Sequence, residues 1–84
     1  MQLPYPNPFT TDVIITYTVA DDANREIDIR ITDIVGRLVK TFKVMSAYGQ
    51  YTVIWHAAGT EKGIYFISLY SNGDLMQTNK VIKQ

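Results

Sequence analysis

Chemistry in a protein needs side chains that ionise, attack or ligate, and this chain offers few. His56 is the single histidine, and there is no cysteine. A metal site normally gathers several His, Cys, Asp or Glu ligands, so His56, directly after Trp55, reads as a partly exposed residue at a strand end. Asp22, Asn24 and Glu26 stand at alternate positions, as at the start of a calcium loop. The pattern then fails: Ile27 falls where an EF-hand loop turns on glycine, and Asp33 where it uses glutamate. These residues read as a solvated connection, with a calcium site of another kind between loops as the lesser reading, and no metal or other cofactor is expected. Glycoside chemistry needs two acids facing across a cleft. Asp28 and Asp33 share one hairpin region, where outward acids serve solubility. With one histidine and no nucleophile-elbow motif, no Ser-His-Asp set can be assembled. The chain is not expected to be an enzyme.

Aromatic side chains leave a binding role open. Tyr17, Tyr48, Tyr51, Trp55, Tyr65 and Tyr70 have the chemistry of a sugar-binding platform. Several of them fall on core-facing positions, where large rings fill the space between sheets. Tyr17 and Trp55 are assigned to the core, whereas Tyr48 and Tyr70 are not decided by their positions.

The frame for these residues is small. Eighty-four residues, 46% of them hydrophobic and ten aromatic, suit one domain with an efficient core. Without cysteine, neither disulfides nor thiolate-bound zinc can staple it. Eight basic and eight acidic residues cancel, and nucleic-acid binding, which draws its affinity from phosphate neutralisation, is not expected. Residues 1–28 hold five acids and one base, and the rest three acids and seven bases. That polarity reads as solvated faces, with a weak docking field as the lesser reading. No charged segment followed by an apolar stretch marks a signal peptide at Met1, and no apolar run approaches the ~20 residues of a membrane helix. The chain reads either as a complete small protein or as a piece of a longer one.

Its periodicity is two nearly throughout. Val13, Ile15, Tyr17 and Val19 share one face of a first strand. Residues 21–24 form a polar connection. Residues 26–33 alternate three inward isoleucines with polar residues, and Gly36 suits the turn that follows. A third strand from Leu38 places Leu38, Phe42 and Val44 on one side. After a turn at residues 46–49, Tyr51, Val53 and Trp55 share a face. A loop over residues 57–63 leads to a strand, residues 64–70, that is apolar on both faces, as in the middle of a sheet. Asn72-Gly73 signals a type I′ hairpin, and residues 75–82 form the last strand. Six or seven short strands without a helix predict an all-β, immunoglobulin-like sandwich of about seven antiparallel strands. The opening is distinct: Pro4, Pro6 and Pro8 each fix φ and remove an N–H, so residues 1–10 cannot pair fully inside a sheet.

Several motifs occur in a fixed order: YPNPF (5–9), ITYTV (15–19), IRITDIVGRLVKTF (29–42), YGQYTVIWHAAG (48–59), KGIYFISLYSNG (62–73) and KVIK (80–83). Taken together the chain resembles the type A C-terminal sorting domain of the type IX secretion system, found at the ends of many secreted Bacteroidota proteins. It is similar also to the immunoglobulin-like module of the flagellar hook-capping protein. The resemblance spans almost the whole chain. Tyr5, Pro6, Asn7, Pro8 and Phe9 match the family's opening motif, and Gly36 and Arg37 its central glycine–arginine turn. Gly49 and Trp55 match the next strand pair, Gly63 and Tyr65 the glycine–aromatic step beyond it. Lys80, Val81, Ile82 and Lys83 match the basic-apolar terminal strand, which in the family tends to carry recognition. The chain departs from the pattern at Thr32, where an aromatic is common, and at WHAAG, where an acid or amide usually follows the tryptophan.

The resemblance implies an address label on residues 1–84, with residues 1–10 as its proline-rich opening segment. A cargo domain would precede it, cross the inner membrane on its own signal and fold in the periplasm. Outer-membrane translocon and shuttle proteins would recognise the label, and a sortase-like surface peptidase would remove it. The cargo would end at the cell surface or outside the cell. The terminal strand would offer its partner either side chains or a free edge for strand addition, and weak dimers through edge strands are a further expectation. The competing reading is a structural or carbohydrate-binding immunoglobulin-like module of a cell-surface or hook-cap protein.

Overall fold

The apolar–polar alternation produces six strands: β1 (Asp12–Val19), β2 (Arg25–Asp33), β3 (Leu38–Ser46), β4 (Gly49–His56), β5 (Gly63–Ser71) and β6 (Asp74–Lys83). A computed structural model describes residues 1–20 and 25–84. The expected connection at residues 21–24, with the calcium candidates Asp22 and Asn24, lies outside the described residues. β1 and β4 form a two-stranded sheet, and the other four lie in the order β3-β2-β5-β6. Every pairing between these six strands is antiparallel.

The period of two decides what lies between the sheets. β1 contributes Val13, Ile15, Tyr17 and Val19, β2 contributes Ile27, Ile29 and Ile31, and β5 contributes Tyr65, Ile67 and Leu69, all buried. Trp55 from β4 and Val81 from β6 complete the inner faces. Tyr17 and Trp55 are thus core residues, as expected, and so is Tyr65. β5 is central, flanked by β2 and β6, so its outer residues Ile64, Phe66 and Tyr70 are half-buried by their neighbours in the sheet. At the β5–β6 hairpin, Asn72 (φ 50°) and Gly73 (φ 87°) both take positive φ, as a type I′ turn requires.

Two details differ from expectation. The described residues form six strands, at the lower end of the six or seven expected. The opening segment lies where a seventh would run, yet it makes only two isolated bridges, Tyr5 with Ile14 and Phe9 with Lys83. Pro4, Pro6 and Pro8 have no N–H to donate, so no continuous ladder forms. The second correction concerns β3. Ile31 faces Lys40 and Thr32 faces Leu38, so a bulge leaves Val39 as the extra residue. One extra residue reverses the face of everything beyond it. Leu38 therefore points outward and is 60% exposed, while Val39 packs against the core. Val44 keeps the inward register of Phe42 but is also exposed, because β3 is the sheet's edge strand.

Candidate functional site

The motif residues converge on one end of the sandwich. Along β2 that end is marked by Asp33, along β5 by Gly63 and along β6 by Lys83, since Asp33 pairs with Tyr65 and Gly63 with Lys83. Gly49 is the exception. It pairs with Val19 at the opposite end, beside the ring of Tyr51.

The opening segment crosses from one sheet to the other. Residue 5 pairs with β1, with Tyr5 N donating to Ile14 O (3.2 Å) and Ile14 N to Tyr5 O (2.8 Å). The Tyr5–Pro6 and Asn7–Pro8 peptide bonds are cis. Two residues further on, the chain has reached β6. The Asn7 side chain donates from Nδ2 to Lys80 O (3.1 Å) and accepts from Ile82 N at Oδ1 (2.9 Å). An amide side chain thus occupies edge groups that a neighbouring strand's backbone would use. Phe9 continues the pairing in parallel fashion, its N–H donating to Ile82 O and its carbonyl accepting from Gln84 N, both at 2.9 Å. The expected free edge for strand addition is therefore closed over residues 80–84. Strand addition there requires displacing Asn7 and Phe9.

Phe9 is 1% exposed and its ring lies 5.5 Å from Trp55, which meets Tyr65 edge-on at 5.2 Å. Tyr65 in turn donates its hydroxyl to Glu61 O. These three rings join the opening, β4 and β5 in one cluster, with the geometry that aromatic pairs favour.

The terminal motif splits by face. Val81 and Lys83 point inward, and Lys80 and Ile82 point outward. Lys83, only 7% exposed, donates its ammonium to Ala57 O and Thr60 O, both at 2.5 Å, and lies 3.3 Å from Thr60 Oγ1. A buried cation survives when its protons meet acceptors, and here carbonyls of the β4–β5 loop supply them. Lys83 and Val81 are accordingly inaccessible in the folded domain, and Lys80 and Ile82 are the solvent-facing half of the motif.

Gly36 and Arg37 sit in a tight β2–β3 turn, with Gly36 at φ 88°. Asp33 builds it: its Oδ1 accepts from Val35 N (3.0 Å) and Arg37 N (2.9 Å), and its Oδ2 from Arg37 Nε (2.8 Å). Partial desolvation pushes the Asp33 carboxyl up, but donation from the Arg37 backbone and guanidinium and the Val35 N–H outweighs it, leaving its pKa below the usual aspartate value. Sequence reasoning took Asp33 for a solubilising acid. The signal was present in Asp-x-x-Gly-Arg, since an aspartate reaching N–H groups two and four residues on is an Asx-type turn. The carbonyl cage of Ala57 and Thr60 was missed too, and no side-chain pattern announces backbone acceptors.

The remaining candidates are occupied elsewhere. His56 is exposed with Nδ1 3.0 Å from Asp12 Oδ1. Asp28 is buried against Arg30, whose guanidinium approaches it to 2.8 Å and lies 4.2 Å over the Tyr70 ring. That stacking covers a ring face a sugar would need. Among the described residues no three His, Asp or Glu side chains gather as a metal set.

The family model described as a secretion system C-terminal sorting domain matches residues 4–84. No curated protein sequence matches the chain. The family match speaks for the sorting reading and lends nothing to the carbohydrate-binding or hook-cap alternative. Such domains are signals recognised by the type IX secretion machinery on a cargo protein bound for the cell surface or beyond, and the family is not a catalytic one. With residues 7 and 9 of the opening motif stitched to residues 80–84 of the terminal one, this chain belongs to the secretion system C-terminal sorting domain family and is a type IX sorting signal.

Proposed function

We propose that residues 1–84 act as one sorting domain whose motif-bearing end is what the export machinery engages. A cargo domain precedes the opening segment, travels through the periplasm with it, and leaves by an outer-membrane translocon after handover by shuttle proteins. A sortase-like surface peptidase then separates label from cargo. The observation that carries this reading is the division of the terminal motif. Tyr5, Pro6, Asn7, Pro8, Phe9, Trp55, Gly63, Tyr65, Val81 and Lys83 build the end, whereas Lys80 and Ile82 face outward from it. In this reading a partner contacts the side chains of Lys80 and Ile82 and leaves the stitched backbone edge alone. Gly36 and Arg37 shape the neighbouring turn, and Gly49 serves only the distant hairpin.

A periplasmic reporter carrying residues 1–84 at its C-terminus, made in a bacterium with a working type IX system, tests the proposal. The intact fusion is expected in the medium or on the cell surface. Lys80→Glu with Ile82→Ser is expected to leave a folded fusion in the periplasm. Unimpaired export of that variant would show that the outward pair is not read. The far edge of β3 has no strand partner among the described residues, and edge-to-edge pairing of two copies there is the form that weak dimerisation would take.

A further inference from the structure

The β2–β3 turn presents Ile34 and Val35 to solvent at 67% and 72% exposure. Two branched apolar side chains at the tip of a turn are costly to leave in water, and polar residues are the ordinary choice there. The backbone that carries them is fixed by Val35 N and Arg37 N donating to the Asp33 carboxylate, by Gly36 N to Asp33 O and by Asp33 N to Arg37 O, the last two at 3.0 Å, and the Arg37 side chain holds the same carboxylate. The tip is thus held in place before any partner arrives. Apolar anchors on a rigid support lose little freedom on docking, which is what makes such side chains effective in interfaces.

The tip does not stand alone. Ile34 and Val35 line one groove with Ile64 of β5, and Ile64 faces Ile82 across the β5–β6 ladder. The apolar strip therefore runs from the tip to the outward half of the terminal motif. Its charged border is lopsided. Lys62 and Lys80 are exposed around it, while Arg37 and the Asp33 carboxylate neutralise each other within the turn and Glu61 is the exposed acid nearby.

We propose that Ile34 and Val35 are the anchor by which this domain docks into an apolar pocket of a protein partner rimmed by carboxylates. The inference rests on the sorting reading above and adds to it the surface used and the chemistry of the partner. Ile34 and Val35 enter the pocket, Ile64 and Ile82 cover its lip, and Lys62 and Lys80 meet acidic groups at the rim. Charge complementarity of this kind sets orientation and encounter rate, while the buried apolar pair supplies the holding contact.

The reporter fusion carrying Ile34→Ser and Val35→Ser tests this directly. Its export is expected to fall at least tenfold with the thermal unfolding midpoint unchanged, because neither side chain belongs to the core. Met45→Ser with Tyr48→Ser, removing comparably exposed apolar groups at the opposite end, is expected to export like the unmodified fusion. Lys62→Glu with Lys80→Glu is expected to reduce export in the same direction as the tip variant. Full export of the tip variant overturns the anchor, and full export of the double glutamate variant overturns the acidic rim. Unmodified protein that co-sediments with phosphatidylethanolamine–phosphatidylglycerol vesicles through the tip overturns the protein pocket in favour of a lipid surface. Failure of the unmodified fusion to leave the cell overturns the sorting reading beneath the inference, and is distinguishable because the tip variant then differs from nothing.

Discussion

At the end carrying Phe9, Trp55 and Lys83, Asn7 and Phe9 join the two extremes of the chain. At the end carrying Gly49 and Tyr17, the fastenings span less, as where Glu26 N donates to the Asn72 side chain across 46 residues. Asn7 reaches partners 73 and 75 residues away, whereas Tyr51 donates its hydroxyl to Ala47 O four residues back and Tyr17 meets Ser46 across 29. The Tyr17 and Tyr51 rings stack at 5.4 Å, but between the sheets at that end a groove lies open, lined by Met1, Val19, Ile27, Leu69 and Met76. Contacts of long sequence separation close large loops, and that closure entropy must be met before they form. The motif end therefore exists as a surface only when the last strand is in place, and a label read at that end reports a completed domain.

The largest expected effect separates the two ends by stability. Phe9→Ala should cost about 3–5 kcal/mol, the range for emptying a well-packed aromatic site. Tyr48→Ala, at a position 69% exposed, should stay within about 0.5 kcal/mol. Urea unfolding of both variants measures the contrast, and equal losses would mean that Phe9 does not hold the end together.

Lys83 and Lys80 sharpen the comparison within a single strand. Lys83→Met keeps the aliphatic stem but leaves carbonyls of the β4–β5 loop without their donor, at a cost of about 1–3 kcal/mol. Lys80→Met, on the solvent side, should leave the unfolding midpoint nearly unchanged while changing export. A stability loss in Lys80→Met would contradict the division of the motif by face.

Asn7→Ala removes two hydrogen bonds at an exposed edge, with an expected cost of about 0.5–1.5 kcal/mol. Its clearer readout is amide exchange, since Ile82 N–H loses its acceptor and should exchange faster. Amides of β6 nearer the Asn72-Gly73 hairpin should keep their rates.

The smallest effect is a pH dependence confined to the β2–β3 turn. Asp33 has a folded-state pKa below its ordinary value of 3.8. Its contribution is thus fully present above that ordinary value and is lost as the pH falls through the lower folded one. Exchange protection of the Val35 and Arg37 amides should decline in that acid window and return on neutralisation. Asp33→Asn should abolish the pH dependence. A turn that loosens in Asp33→Asn at the same acid pH would place the titrating group elsewhere.

Much of this organisation was legible because a strand writes its buried face into every second residue. Val13, Ile15, Tyr17 and Val19, and the three isoleucines of β2, needed no partner to be assigned inward. Asn72-Gly73 named its own turn, because few other pairs accept positive φ at both positions. The prolines at residues 4, 6 and 8 announced a segment unable to form a ladder. Leu38 was misplaced for a reason outside β3's own pattern. A bulge is a property of two paired strands, and the parity of one strand does not contain it.

What the tertiary structure alone decided is which groups meet. Lys80 and Lys83 are the same residue type in one short motif, yet one faces solvent and the other donates into a ring of carbonyls. Backbone acceptors belong to every residue alike, so composition cannot point to Ala57 and Thr60. The Asn7 amide likewise gains its meaning from a strand edge more than seventy residues away. Sequence periodicity determined the strands and their buried faces, because the pleat is local; the pairing into sheets, the closed edge, the buried ammonium and the presented tip were set by long-range contact, because only the folded chain brings those atoms together.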